Sequence, residues 1–312
     1  MNTNKDSQWD ILVAGGANID YLGRGPKLPT ASQPVNGEEF LISTGGKGAN
    51  QAVAAARLGA RAAFLGCMGS DERGDWILEE LKEEGVDTRF VVRDAEAETG
   101  VVLLQVDQQG HKQTLAVPGA NRRLAVSQLP QEAMTASSLL LIQLEIPIPV
   151  VEAAIHMAKE AGILVVLDPA PAAPLPEGLF PFVDLIKPNA NEAEFLTGIK
   201  VRDQASARQA AKALLRRGVR AAAVQAGPEG NLVVWEGGES WNPVLPVDTI
   251  DTTGAGDAFA AAMSVCLVEG KSLEEAGPIA NAAAALATTK LGAMAGLPYR
   301  QELDRLLRNF GQ

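Results

Sequence analysis

The chain has two cysteines, two histidines and 4% aromatic residues in 312 positions, and each shortage removes a class of function. Cys67 and Cys266 lie far apart in apolar surroundings and form no CxxC pair, which excludes a cysteine-built metal site and fits a reducing cytoplasm. His111 and His156 each stand alone, so a histidine metal site is excluded and acid–base chemistry falls to carboxylates or lysine. No apolar run reaches the roughly 18 residues of a membrane helix. The opening MNTNKDSQWD is polar, without a signal-peptide core, and a cytoplasmic protein is expected. Positive charge is also scarce: 27 Lys and Arg against 38 Asp and Glu give a net charge of −11. That argues against nucleic acid as a partner but leaves room for a small phosphorylated ligand at a local site. Two nucleotide fingerprints are missing. Lys47 is followed by Gly48, not Ser or Thr, and no glycine lies five residues before Gly46, so there is no P-loop. No GxGxxG follows the first apolar run, which weighs against a dinucleotide oxidoreductase.

What is present is an alternation of short apolar runs with helical patterns. Strands are expected at 11–14, 62–67, 139–144, 163–167, 183–186 and 221–224. Helices are expected at 49–58, 75–84, 150–161, 205–217, 258–269, 277–290 and 299–308, several of them closed by glycine. This predicts an α/β fold: a three-layer, mostly parallel central sheet with helices on both faces. Two stretches break the rhythm. Residues 20–43 are rich in Gly, Pro and polar side chains, and 99–106 with 112–117 read as a β-hairpin. With no linker or repeat, the expectation is a single domain over 1–312 with a small β-sheet lid built from excursions at about 20–43 and 98–118.

In open parallel sheets ligands bind beyond the carboxyl ends of the strands. The residues that follow the expected strands are Asn18 and Asp20, Glu145, Lys187-Pro188-Asn189, and Gly227, Pro228 and Gly230, a polar rim along one edge. Asp251-Thr252-Thr253-Gly254-Ala255-Gly256-Asp257 belongs to the same edge and runs into an alanine-rich helix. Unpaired N–H groups at such a helix start suit an anion, and Asp257 is placed to act as a base beside a phosphate. The alternative is a plain turn in which Asp257 only complements the helix dipole. Gly45-Gly46-Lys47-Gly48-Ala49-Asn50 puts a lysine where the helix dipole disfavours it, which suggests an anionic or polyhydroxy ligand; a turn with a solvated lysine is the alternative. Asn189-x-x-Glu192 reads as a helix cap with its reciprocal acid, or as two groups near a hydrated Mg²⁺.

Gly45-Gly46-Lys47-Gly48-Ala49-Asn50-Gln51 and Asp251 through Asp257 resemble the two signatures of the ribokinase-type carbohydrate kinases. Gly15 through Asp20, Pro118-Gly119-Ala120-Asn121, Gln143-Leu144-Glu145 and Lys187-Pro188-Asn189 through Glu194 match in order, so the resemblance runs from the first strand to Pro298. It implies ATP-dependent phosphorylation of a sugar hydroxymethyl group, with D-ribose as the acceptor that fits the pattern best. The alternatives are a family kinase for fructose, ketodeoxygluconate or adenosine, and a non-catalytic sugar-binding regulator. Few rings are present to stack on a nucleoside acceptor. The resemblance assigns Asp257 as general base and the N–H groups of Gly254, Ala255 and Gly256 to the transferred phosphoryl group. Asn18, Asp20, Gly46, Lys47, Gly48, Asn50 and Glu145 would hold the sugar. Asn189, Gln225, Gly227, Pro228, Gly230, Gly256 and Asn281 would line the nucleotide. Mg²⁺ would bridge the phosphates, with Glu192 reaching it through water. A monovalent cation, K⁺, would sit on Asp251 and the carbonyls of Thr253, Ala287, Lys290 and Gly292. A homodimer through the lid is implied as well. The chain departs from the family pattern at Thr30 to Pro34, where members have Gly-Glu-Thr, at Gln225 in place of threonine, and at Gly296 in place of a serine.

Overall fold

Runs such as ILVA at 11–14 and LLLI at 139–142 are apolar at every position and too short for helices, as strands buried on both faces require. The computed structural model, which describes residues 7–310, sets them side by side within an eight-stranded sheet. The ends of the expected domain, 1–6 and 311–312, lie outside the described residues. Across the sheet the order is Gly238–Pro243, Gly230–Trp235, Ala221–Gln225, Leu185–Ile186, Leu164–Leu167, Ser137–Ile142, Trp9–Ala14 and Ala62–Leu65. The strands from Ala221–Gln225 onward pair in parallel, whereas Gly230–Trp235 and Gly238–Pro243 form an antiparallel edge.

Successive side chains on a strand point to opposite faces, and the core divides accordingly. Leu12, Ala14, Leu140 and Ile142 pack with the helices Ile148–Glu160 and Gln204–Arg216. Ile11, Val13, Leu139 and Leu141 pack on the other face with Lys47–Arg57, Ala255–Val268 and Leu273–Ala287. Residues Asp257 to Leu267 of Ala255–Val268 are all buried, because this helix is enclosed by the sheet, Lys47–Arg57 and Leu273–Ala287. A helix apolar all round is the sequence expected for that position.

The two excursions meet in a four-stranded sheet of order Glu39–Gly45, Asn18–Gly25, Gly100–Asp107, Lys112–Val117. Asn18 pairs with Gly45 on one side and with Gly100 on the other, so the sheet starts at the first strand-end turn and projects over the strand ends. Val102, Leu104, Lys112, Thr114 and Ala116 face the space beneath it, while Leu103, Leu115 and Val117 alternate onto the outside.

Most helix starts are earlier than the apolar pattern suggests. The helix expected from 277 begins at Leu273, because Ser272 caps it: Glu275 Oε2 accepts the Ser272 N–H at 2.8 Å. The helix expected from 258 begins at Ala255, with Gly254 as its cap at φ 83°. The antiparallel edge strands were not expected, since they lie outside the strand–helix rhythm.

Candidate active site

The strand ends, the start of Ala255–Val268 and the lid enclose a cavity of about 1100 Å³. Of the expected site residues, it brings together Asn18, Asp20, Gly46, Lys47, Asn50, Glu145, Asn189, Glu192, Gln225, Gly227, Pro228, Thr253, Gly254, Ala255, Gly256, Asp257 and Asn281.

At one end the glycines fix the geometry. Gly46 has φ 89°, and a Cβ there would fall 2.7 Å from the Cα of Ala17, so only glycine lets this turn pack on the turn after the first strand. The turn starts Lys47–Arg57, whose first N–H donates to Glu145 Oε2 at 2.7 Å. Gly48 does not line the cavity, contrary to expectation. A Cβ on it would lie 2.7 Å from the Gly15 carbonyl carbon, so it forms the floor beneath the site. Asn18 Oδ1 accepts from Asn121 Nδ2 at 2.8 Å, and Asn121 Oδ1 takes the Ala17 N–H at 2.9 Å. The Pro118 to Asn121 match thus positions the first turn and does not form the cavity wall.

This end is crowded with acid. Burial, with the Glu145 and Asp257 charges, pushes Asp20 up to about 7. Burial also pushes Glu145 up to about 7, against the pull of Lys47. Burial opposes the Lys47 charge, but Asp257, Asp168, Glu145 and Glu192 outweigh it and hold the ammonium above its ordinary range. Asp20 Oδ1 and Asn50 Oδ1 are buried acceptors without a hydrogen-bond partner. Buried acceptors left open in this way call for donors from a ligand, and vicinal hydroxyls supply them.

Asp257 stands in the first turn of Ala255–Val268 and is 5% exposed. Its Oδ2 accepts from Asn50 Nδ2 at 2.9 Å and its Oδ1 from Gln51 Nε2 at 3.0 Å, with Lys47 Nζ 4.0 Å away. The carboxylate is therefore held at a fixed position beside the open acceptors. In the turn before it, the Ala255 N–H reaches the Thr252 carbonyl at only 3.4 Å, and first-turn N–H groups have no partner within a helix. A fixed carboxylate and an anion cradle thus share one turn, an arrangement suited to phosphoryl transfer to a hydroxyl.

The other end is apolar and neutral. Val244, Leu245, Val247, Ala284 and Ala285 form a slot between the antiparallel edge and Leu273–Ala287, with Gln225, Gly227 and Pro228 at its mouth. Asn281 lies in this wall with its amide already used: Oδ1 accepts from Asn231 at 2.7 Å and Nδ2 donates to the Pro243 carbonyl at 2.7 Å. It shapes the slot by tying the helix to the edge strands. Gly230 does not line the cavity; at φ 148° it starts a strand against Asn242 and Pro243. Asn189 and Glu192 realise the capping box: Glu192 Oε2 takes the Asn189 N–H at 2.8 Å and Oε1 its side-chain amide at 2.7 Å. Burial and Asp168 push Glu192 upward, against Lys187 and the cap. Among the described residues no group of three or more acidic, Cys or His side chains is set to hold a metal directly. A strongly hydrated Mg²⁺ needs fewer protein ligands than that, and Glu192 stands in the cavity wall.

The expected monovalent-cation site does not fit. Asp251 Oδ1 accepts from Lys112 Nζ at 2.6 Å, Thr253 Oγ1 at 2.7 Å and the Thr253 N–H at 3.0 Å. Its Oδ2 accepts the Gly292 N–H at 3.0 Å. Burial disfavours the charge, but these bonds outweigh it and hold Asp251 below the usual carboxylate range. A lid lysine thus stands on the carboxylate that a cation would use. Gly296 adds to the conflict: a Cβ there would lie 2.2 Å from the Ala287 carbonyl oxygen, so the missing serine hydroxyl has no space.

Sequence reasoning assigned no role to Lys112, Gln51, Asp168 and Lys187, and missed the aliphatic slot. The strand-end rule reaches Asp168, which directly follows Leu164–Leu167, and it did mark Lys187. Gln51 closes the first signature, but its partners Gln143, Asp168 and Asp257 lie 92 or more residues away in the chain.

Comparison with known proteins agrees with this geometry. A family model described as pfkB family carbohydrate kinase matches residues 9–300. The chain is 40% identical to the ribokinase of Haemophilus influenzae over 301 residues, covering 96% of this chain and 98% of that protein. It is 36% identical to the Bacillus subtilis ribokinase, covering 96% and 99%. An Arabidopsis thaliana ribokinase structure complexed with ribose and ATP superposes with a TM-score of 0.87 at 31% identity, covering 96% of this chain and 99% of that one. The chain belongs to the pfkB family of carbohydrate kinases.

Proposed function

We propose that the protein transfers the terminal phosphoryl group of ATP to the 5-hydroxyl of D-ribose. The observation that carries this reading is the place of Asp257, between open buried acceptors on one side and the Gly254, Ala255 and Gly256 turn on the other. Asp20, Asn50, Lys47 and Glu145 hold the sugar hydroxyls. Asp257 accepts the proton of the attacking hydroxyl as its oxygen bonds to phosphorus and the bond to the ADP oxygen breaks. Charge gathering on the equatorial and leaving oxygens is stabilised by the amides of the Gly254 turn and by the Lys47 ammonium. The aliphatic slot takes the adenine, and the lid excludes water from the acid-rich end. Glu192 would hold a hydrated Mg²⁺ near the phosphates, and the ion would supply neutralisation of their charge. The ribose and ATP of the Arabidopsis complex support both ligand assignments.

The outer lid face bears Phe40, Leu103, Leu115 and Val117, all at least 45% exposed. This supports pairing of two copies through their lids, which sedimentation would detect as a dimer that Leu115→Lys dissociates. The buried free thiols suit a reducing cytoplasm.

The test is a coupled ADP-release assay over ribose, deoxyribose, fructose, ketodeoxygluconate and adenosine. Ribose is expected to give the highest kcat/KM, with ribose 5-phosphate as product. A higher kcat/KM for a hexose or a nucleoside would overturn the assignment.

A further inference from the structure

Behind Asp257 lies a buried polar array that the mechanism above does not use. Gln51 is fully buried, and its Nε2 donates to two carboxylates at once: Asp257 Oδ1 at 3.0 Å and Asp168 Oδ2 at 2.8 Å. Its Oε1 accepts from Gln143 Nε2 at 2.5 Å, which fixes which way the amide points. Asp168, also fully buried, has no hydrogen-bond donor on Oδ1; its ion-pair partner Lys187 Nζ stands at 3.6 Å, beyond hydrogen-bond length. Lys187 is 5% exposed, lines the cavity, and sits against the anion turn: a Cβ built on Gly256 would lie 2.8 Å from Nζ.

A buried lysine and aspartate are costly, and an apolar pair of similar size would often be at least as stable. Here the pair is not closed into a tight hydrogen bond, and its ammonium abuts the glycine where phosphate oxygens would lie. The structure assigns Lys187, in our reading, as a ligand of the transferred phosphoryl group. Gln51 and Asp168 are positioning residues that lock this ammonium in register with the general base. The assignment rests on the kinase reading above. One amide bridges the carboxylate that receives the proton and the carboxylate that anchors the phosphate ligand, so both sides of the reacting bond are held by one side chain. Asp168 hangs from the end of Leu164–Leu167 and Lys187 from the end of Leu185–Ile186, neighbouring parallel strands that keep their spacing rigid.

Lys187→Met keeps the chain length and removes the charge. Its kcat is expected to fall about 10²–10³-fold, as for loss of one oxyanion donor, with the KM for ribose unchanged. By calorimetry, a non-hydrolysable ATP analogue should bind about 10–100-fold more weakly, while ADP binding stays the same. Gln51→Met should lower kcat and leave both KM values in place, and its effect combined with Lys187→Met should be less than the product of the two. If Lys187→Met does not fold, the neutral pair Asp168→Asn with Lys187→Gln removes both buried charges and carries the same expectation. Near-normal kcat, equal loss of ADP and triphosphate analogue, or fully multiplicative effects would overturn the proposal. A wild-type protein that phosphorylates no sugar would instead overturn the kinase reading itself.

Discussion

The two ends of the cavity are built on opposite principles. At the sugar end, acids and ammonium groups are buried, bonded to one another in advance, and left with open acceptors. At the other end, aliphatic side chains form a neutral slot, and the Asn281 amide in its wall is consumed in holding the walls. The difference matches the chemistry proposed for each end. The end that selects hydroxyls and moves a proton requires fixed charge at fixed distances. The end that grips a flat base requires shape and desolvation. Asp257 and the Gly254 turn lie on the boundary.

Five changes break or sharpen that contrast. The largest effect is expected at the boundary: Asp257→Asn should lower kcat by roughly 10²–10⁴-fold while ribose and nucleotide still bind. Equal loss of affinity for both ligands in calorimetry would place Asp257 in binding instead. At the charged end, Asp20→Asn or Glu145→Gln should raise the KM for ribose by about 10–100-fold, the range of one charged hydrogen bond, and leave the KM for ATP alone. At the neutral end, Ala284→Phe should fill the slot and raise the KM for ATP with ribose affinity intact; a matching rise in the KM for ribose would mean the ends are not separate.

The fourth change is in pH. Asp20 and Glu145 titrate near 7 in the folded protein, above their ordinary carboxylate values, so the folded state takes up protons that the unfolded chain gives up. The melting temperature of the empty protein should therefore rise as pH falls from 8 to 6. The KM for ribose should rise over the same interval, because a neutral carboxyl accepts hydroxyl donors more weakly. A flat melting curve over that range would contradict the crowding of acids at this end. The smallest effect concerns Lys112. With its ammonium on Asp251, exchanging sodium for potassium should leave turnover nearly unchanged, whereas Lys112→Ala should slow the enzyme modestly and make it respond to potassium. A strong potassium response in the unaltered protein would show that Lys112 gives way to the ion.

The same contrast governs how much was legible in the sequence. The charged end was readable because it is made from short contiguous segments, Gly45 to Asn50 and Asp251 to Asp257, whose glycines and misplaced lysine are anomalies against local preference. The parallel sheet was readable because strands buried on both faces are apolar at every position. The slot was not, because Val244, Leu245, Ala284 and Ala285 are ordinary apolar residues that meet only through tertiary packing. Gly48 and Gly230 show the limit of motif transfer: each belongs to a site segment yet serves backbone packing. Asp251 shows another. Its surroundings include a lysine from the lid, 139 residues away, that no local pattern connects to it.

The central claim is that Asp257 joins a charged sugar end to a neutral nucleotide end. It is tested most directly by a crystal structure with ribose and a non-hydrolysable ATP analogue bound together. The account predicts the ribose 5-hydroxyl at about 2.6–3.2 Å from an Asp257 carboxylate oxygen, the terminal phosphate on the Gly254 turn, and the adenine between Val247 and Ala284. Ribose bound with that hydroxyl turned away from Asp257, or the adenine seated at the Lys47 end, would contradict it.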